Sequence, residues 1–180
     1  GDTTRASKGT METHTVDVII IGAGISGIGA ARELAGTAHT VAILEARDAL
    51  GGTWDLFRYP GIRSDSDMAT FGYRSRPWTE DRSLATGETI LNYVRTAADE
   101  AWVKQNIRFG QRAQRAEWSS DACPWTVTYL NEHTGEVSQM TGRWLFMANG
   151  YYRYDQGFPP DWPSLGDFQG RVVHPQLWPD

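Results

Sequence analysis

A glycine-rich turn directly after an apolar run most constrains what this chain can fold into. The β-branched run 16–21 ends at Gly22-x-Gly24-x-x-Gly27, and small residues at helical spacing follow the turn. A second apolar strand at 40–45 completes a strand, turn, helix and strand within about 30 residues. This order predicts a βαβ unit, with parallel strands and a right-handed connection.

The residue types in this turn predict a dinucleotide site. Gly22 permits a sharp turn, Gly24 leaves room for a phosphate beside the backbone, and Gly27 lets the helix pack closely on the strand. Free N–H groups at the helix start attract the diphosphate, and Ser26 adds a hydroxyl. Glu45, at the end of the second strand, is placed to accept hydrogen bonds from ribose hydroxyls and to repel a 2′-phosphate. A surface glutamate beside a purely structural turn is the alternative.

The rest of the domain follows from hydrophobic periodicity. Helices are expected at 28–35 and 87–106, an irregular functional segment at 51–83, and further strands at 107–109, 113–119, 125–131, 137–141 and 144–148. The three strands from 113 to 141 form an antiparallel meander. The second helix has one apolar face, made of Ile90, Tyr93, Val94, Ala97, Ala101 and Trp102.

These segments divide the chain into three parts. Residues 1–13 are polar and are interpreted as a leader or a cloning remnant. Residues 14–150 form the dinucleotide-binding domain, and residues 151–180 form an extended linker rich in Gly, Pro and aromatic residues.

Composition excludes several classes of protein. The net charge is −5 with no basic patch, which argues against a nucleic-acid partner. No apolar run reaches about 18 residues, so no membrane-spanning helix is expected. The single cysteine, Cys123, fits a reducing cytoplasm. The four histidines are scattered, and no metal site is predicted.

A second glycine pair favours FAD over NAD as the dinucleotide. Gly51-Gly52-Thr53-Trp54 begins six residues after Glu45. The Glu-x5-Gly-Gly pattern and the inserted meander resemble flavoproteins with two dinucleotide-binding domains. A glycine-rich surface turn is the alternative interpretation.

Two longer segments make the resemblance more specific. Residues 51–68, GGTWDLFRYPGIRSDSDM, resemble the class B flavin monooxygenases, and within them the Baeyer–Villiger monooxygenases of the ethionamide-activating type. The tail independently matches the Baeyer–Villiger fingerprint F-x-G-x3-H-x3-W-P/D through Phe168, Gly170, His174 and Trp178. The resemblance runs from about residue 16 to residue 180.

The resemblance implies a fold and a set of roles. The fold is α/β, a Rossmann-like three-layer FAD-binding domain with a parallel sheet and an inserted antiparallel meander. Cofactor contacts carry over to Gly22, Gly24, Ser26, Gly27, Glu45, Ala46, Arg47, Gly52, Thr53, Trp54, Arg63, Ser64, Asp65 and Ala113. Asp65 matches a catalytic aspartate beside the flavin, and Arg63 and Ser64 lie where the nicotinamide cofactor meets it. An exposed Arg63–Asp65 ion pair is the structural alternative. His174 and Trp178 act in conformational coupling.

The implied activity is NADPH- and O2-dependent oxygenation of ketones to esters or lactones, with sulfoxidation as a side activity. The alternatives are a flavin monooxygenase that oxygenates nitrogen or sulfur, and a truncated FAD-binding domain that is catalytically silent. Family members continue into a second glycine-rich turn, an NADPH domain and a catalytic arginine. The remainder of the enzyme or a second chain is therefore expected as a partner.

Overall fold

The apolar run before the glycine turn forms an interior strand of a mixed sheet. Residues 13–179 are described by a computed structural model, and within them one sheet has six strands in the order β3-β2-β1-β6-β5-β4. The strands are β1 (Thr13–Ile21), β2 (Val41–Leu44), β3 (Ile107–Arg108), β4 (Gln111–Trp118), β5 (Trp125–Asn131) and β6 (Val137–Met147). β1 begins inside the predicted leader, whose other residues, 1–12, lie outside the described part, as does Asp180.

The sheet is parallel on one side and antiparallel on the other, which confirms the predicted βαβ unit and meander. β1 pairs in parallel with β2 and β6, and β2 pairs in parallel with β3. β5 pairs antiparallel with both β4 and β6. The prediction of separate strands at 137–141 and 144–148 was wrong, because β6 runs through Gly142 without a break. A Cβ atom on Gly142 would lie 2.8 Å from Ile19 Cγ1. The glycine therefore allows β6 to pack closely against β1 and does not form a turn.

Alternation along β1 gives the fold its three layers. Ile20 faces a cluster of buried apolar side chains that includes Ile28 and Val94 of the helices. Ile19 and Ile21 face the opposite way, into a cluster with Val127 and Met140 of the meander strands. Because successive side chains of a strand point to opposite faces, β1 contributes apolar side chains to both layers. The predicted order of helices, parallel sheet and meander is confirmed.

Residues 13–179 contain four α-helices: α1 (Ile25–Leu34), α2 (Thr53–Leu56), α3 (Met68–Phe71) and α4 (Gly87–Glu100). α1 begins three residues before the predicted start, because the turn itself supplies Gly24 as its N-cap. Thr86 is the N-cap of α4, and its side chain accepts a hydrogen bond from Thr89 N. The prediction that Trp102 shares the buried face of this helix was wrong. Trp102 follows the helix end in a left-handed conformation with φ of 57°, and its side chain is 74 % exposed.

The irregular segment 51–83 packs against the start of α4. Gly87 N, at the start of α4, donates to Ile62 O at 2.9 Å, and Ser64 N donates to Ala85 O at 2.9 Å just before the helix. The tail after β6 contains two short 3-10 turns, Leu165–Asp167 and Pro175–Leu177. Among residues 13–179, the structure has no helix of the length and apolar character needed to cross a membrane.

Candidate dinucleotide site

The first glycine turn connects the carboxyl end of β1 to the start of α1. Gly22 has a φ of 102°, and a Cβ atom there would lie 2.5 Å from Ala148 O. A Cβ atom on Gly27 would lie 1.9 Å from Gly22 O. Gly24 differs, since its nearest neighbour would be Gly52 Cα at 3.7 Å. The fold therefore requires glycine at Gly22 and Gly27, whereas the space beside Gly24 remains available for a ligand.

The second glycine pair packs directly on the first turn. Gly51 N donates to Ala23 O at 2.9 Å. Gly51 and Gly52 have φ angles of 119° and 55°, which favour glycine over any residue with a side chain. A Cβ atom on Gly52 would lie 3.1 Å from Gly24 Cα. We call the five residues Gly22, Gly24, Gly27, Gly51 and Gly52 the glycine cradle.

Glu45 follows the last residue of β2 and points back to the cradle. Its Oε2 atom accepts a hydrogen bond from Ala23 N at 2.9 Å, and Oε1 accepts a longer one from Arg47 N at 3.4 Å. The residue is 6 % exposed. Burial raises the pKa of the Glu45 carboxyl, and the backbone N–H groups of Ala23 and Arg47 oppose that rise. The acid lies beside the turn, in the place from which it is predicted to bind a ribose.

Asp55 forms an ion-pair cluster that sequence reasoning missed. Its carboxylate, 5 % exposed, accepts hydrogen bonds from Arg47 Nη2 at 2.8 Å, Arg58 Nη2 at 2.9 Å and Arg95 Nη2 at 3.2 Å. The other terminal nitrogen of Arg47, Nη1, is buried without a hydrogen-bond partner among the described residues. Arg95 comes from α4, so only the tertiary fold reveals this cluster.

The cradle and Arg47 fit a dinucleotide. A diphosphate requires backbone that a side chain does not obstruct, N–H donors at a helix start and positive charge. The cradle provides the unobstructed backbone and the N–H donors. Arg47 provides the positive charge, and its buried Nη1 donor lacks the acceptor that a phosphate or ribose oxygen would supply.

The remaining predicted cofactor contacts lie around this centre. Ser26 is exposed on the first turn of α1, Ala46 is half-buried directly after Glu45, and Ala113 is half-buried on β4. β4 reaches the site because Gln111 N donates to Glu45 O at 2.8 Å. The cofactor contacts of these three residues stay predictions.

The loop that carries Asp65 is anchored by its backbone. Ser64 is buried, and its hydroxyl donates to Ser66 O at 2.8 Å and accepts from Ser66 N at 3.1 Å. Arg63 and Asp65 are exposed, and no ion pair joins them in the described part of the chain. The hydrogen bond that the Tyr152 hydroxyl donates to Tyr151, together with burial, raises the pKa of Tyr152, and the nearby charge of Asp65 adds to that rise. The catalytic role of Asp65 stays a prediction.

The fingerprint residues lie in the tail, whose end folds back on its beginning. Phe168 is 60 % exposed, and a Cβ atom on Gly170 would lie 2.4 Å from its ring. His174 Nδ1 accepts a hydrogen bond from Gln176 N at 3.2 Å. Trp178 is 44 % exposed. We call residues 168–179 the fingerprint segment.

Comparison with known proteins agrees with this geometry. Residues 20–80 match the family described as NAD(P)-binding Rossmann-like domain. The chain is 51 % identical over 174 residues to MymA of Mycobacterium tuberculosis, named as an FAD-containing monooxygenase, covering 94 % of this chain and 34 % of that protein. It is 48 % identical over 170 residues to the FAD-containing monooxygenase EthA of Mycolicibacterium smegmatis, covering 93 % and 34 %.

A solved structure is similar over the same span. The crystal structure of a cyclohexanone monooxygenase mutant from Rhodococcus sp. Phi1, bound to NADP+, aligns with a TM-score of 0.74 at 29 % identity, covering 93 % of this chain and 32 % of that one. The chain is similar to the class B flavin monooxygenases. It spans about a third of the length of the curated monooxygenases it matches, and it is similar to their amino-terminal portion.

Proposed function

We propose that this chain binds FAD as the flavin domain of an NADPH- and O2-dependent monooxygenase. The observation that carries the proposal is the glycine cradle, in which the first turn, the second glycine pair and the buried Glu45 converge at the carboxyl end of β1. The FAD in the names of MymA and EthA, and the NADP+ bound to the cyclohexanone monooxygenase mutant, support the choice of cofactors.

When bound, the flavin supplies the redox and oxygen chemistry, and the protein supplies binding and orientation. Gly22, Gly24 and Gly27 hold the diphosphate, with Ser26 at the helix start. Glu45 holds the adenosine ribose and repels a 2′-phosphate, with Ala46, Arg47 and Ala113 nearby. The segment from Gly52 to Trp54 lines the ribityl and flavin region.

The reaction we propose is Baeyer–Villiger oxygenation of a ketone to an ester or lactone. The fingerprint residues Phe168, Gly170, His174 and Trp178 and the similarity to a cyclohexanone monooxygenase support this choice. In this proposal Asp65 orients a catalytic arginine from the remainder of the enzyme or a second chain, and Arg63 and Ser64 face the nicotinamide. The single Cys123 supports a cytoplasmic location.

Oxygenation of nitrogen or sulfur is the competing reaction, since the names of MymA and EthA specify FAD and monooxygenase without a substrate. The test is NADPH consumption by the flavin-loaded protein with a cyclic ketone or a thioether, followed by product identification. A lactone supports the proposal, and a sulfoxide alone favours the heteroatom oxygenases. Bound flavin with no NADPH oxidation indicates a catalytically silent FAD-binding domain. A protein that retains no FAD contradicts the proposed function.

A further inference from the structure

Tyr154, in the tail just after β6, lies on the candidate dinucleotide site, although no sequence motif assigns it a role. Its ring covers the Arg47 guanidinium, with Cζ 5.8 Å from the ring centre. Its hydroxyl oxygen would lie 3.3 Å from a Cβ atom on Gly52. The Thr53 side chain is also close enough to this hydroxyl to lower the pKa of Tyr154. All three neighbours are predicted cofactor contacts.

The phenol of Tyr154 keeps its proton at neutral pH. Burial raises the pKa of Tyr154, the polar side chain of Thr53 opposes this rise, and the negative charge of Glu45 adds to it. A protonated phenol beside a guanidinium is a hydrogen-bond donor, and such a pair suits ligand oxygen atoms with negative charge.

Arg47 provides the second donor of this pair. Asp55 fixes the guanidinium through Nη2 at 2.8 Å, which leaves Nη1 buried and without an acceptor among residues 13–179. A buried N–H group without an acceptor destabilises a fold. An oxygen atom from a bound dinucleotide would remove that cost.

The fingerprint segment holds the backbone on both sides of Tyr154. The Gln176 side chain is buried, and its amide donates to Arg153 O at 2.6 Å and to Gln156 O at 3.4 Å. The His174 ring lies 2.5 Å from the position of a Cβ atom on Gly157. One amide therefore fixes the short loop from which Tyr154 reaches the cradle.

We propose that Tyr154 is a further dinucleotide-binding residue, whose hydroxyl acts with Arg47 Nη1 on the oxygen atoms of the ribose and diphosphate. Gln176 is a positioning residue that sets Tyr154 from the fingerprint segment. This inference rests on the proposed function, since it takes the dinucleotide to be FAD. Through Tyr154 and Gln176, FAD binding in the cradle is coupled to the conformation of the fingerprint segment.

The first experiment measures the Kd for FAD of the purified, flavin-stripped protein by equilibrium dialysis. Tyr154→Phe, which removes only the hydroxyl, is expected to weaken binding by about three- to tenfold, the effect of one hydrogen bond. Tyr154→Ala is expected to weaken it further. Tyr151→Phe, at a neighbouring tyrosine that is 87 % exposed, is the matched control and leaves the Kd unchanged. Equal or tighter FAD binding by both Tyr154 variants overturns the proposal.

The second experiment separates positioning from general stability by a double-mutant cycle. Gln176→Leu is expected to raise the Kd about threefold in the wild-type background and to add little to Tyr154→Ala. Gln169→Leu, at an exposed glutamine in the same segment, is the control. An equal effect of Gln176→Leu in both backgrounds refutes the positioning role. Circular-dichroism melts without FAD identify any variant that fails to fold, and Tyr154→Phe, which retains the ring, then decides the test.

The two proposals fail in different ways. Wild-type protein that binds no FAD contradicts the proposed function itself. Wild-type protein that binds FAD, together with Tyr154 variants that bind it equally well, contradicts only the role of Tyr154.

Discussion

The glycines of the first turn meet different physical demands. At Gly22 and Gly27 a Cβ atom would lie 2.5 Å and 1.9 Å from carbonyl oxygens, so the protein's own backbone excludes a side chain. At Gly24 the nearest heavy atom would lie at 3.7 Å, an ordinary contact distance. Substitution can therefore separate the needs of the fold from those of the ligand.

Gly24→Ala is expected to abolish FAD binding while the protein stays folded. The added methyl group fits the ligand-free protein but occupies the space where the diphosphate approaches the backbone. Alanine is a poorer N-cap than glycine, so a stability loss of about 1 kcal/mol is expected. Urea denaturation and FAD dialysis measure the two effects. Retained FAD affinity would mean that the diphosphate does not lie at Gly24.

Gly27→Ala provides the contrast. Its methyl group meets Gly22 O, which cannot move without displacing β1, so the free energy of unfolding should fall by about 3 kcal/mol or more. Gly166→Ala, where a Cβ atom would meet no atom within 4 Å, is the neutral control.

Glu45 carries a prediction about pH. Because burial raises its pKa above the ordinary 4.5, the folded protein binds this proton more tightly than the unfolded chain does. The contribution of Glu45 to stability is therefore largest with the carboxyl protonated, and it declines as pH rises from 4.5 through the raised pKa. Glu45→Gln should remove this decline from the flavin-free melting curves and also weaken FAD binding, because an amide offers one acceptor oxygen. The exposed Glu33→Gln is the control. An unchanged pH profile in Glu45→Gln would contradict this assignment.

At the scale of elements, Asp55 connects α2 to the loop after β2, to the segment after α2 and to α4. Arg47 follows β2, Arg58 follows α2 and Arg95 lies on α4, and all three donate to the Asp55 carboxylate. The cluster holds α2, and with it the second glycine pair, against α4. Asp55→Ala should lower the free energy of unfolding by about 3 kcal/mol, since a buried acceptor is lost. Urea denaturation measures this loss.

The Asp155→Asn variant is the matched control for that loss. Asp155 pairs with Arg153 at 2.7 Å on the surface, where solvent screens the interaction. Its replacement should leave the denaturation midpoint almost unchanged. A similar small effect from Asp55→Ala would show that the buried cluster does not hold α2 and α4 together.

Local sequence patterns predicted the elements that depend on residues close together in sequence. The parallel pairing of β1 with β2, the meander and the start of α4 follow from periodicity and turn residues. Trp102 was misassigned because helical spacing continues past Glu100, where the backbone enters a left-handed turn. The contacts of Asp55 with Arg95 and of Tyr154 with Arg47 depend on tertiary packing. No local pattern could reveal them.

At the scale of the whole molecule, apolar area stays exposed near the end of β6 and in the tail. Large apolar side chains at the end of β6 and in the tail are exposed, among them Trp144 at 72 %, Tyr151 at 87 % and Phe158 at 93 %. Exposed apolar area of this extent is typical of an interaction site. It supports the proposal that further chain or a second chain covers this side, and it predicts a flavin domain of modest stability without that cover.

Ligand linkage gives a whole-molecule test of the cradle. A ligand that binds only the folded state, at a free concentration of 100 Kd, adds about 2.7 kcal/mol to the free energy of unfolding. For a domain of this size, that corresponds to a rise in Tm of about 5–10 °C. FAD should therefore raise the Tm of the wild-type protein by this amount and leave the Tm of Gly24→Ala unchanged, as circular-dichroism melts can measure. Adenosine monophosphate is the matched ligand control and should give a smaller rise, because it lacks the diphosphate bridge that the cradle holds. An equal rise with FAD in the wild type and in Gly24→Ala would mean that FAD binds the folded chain outside the cradle.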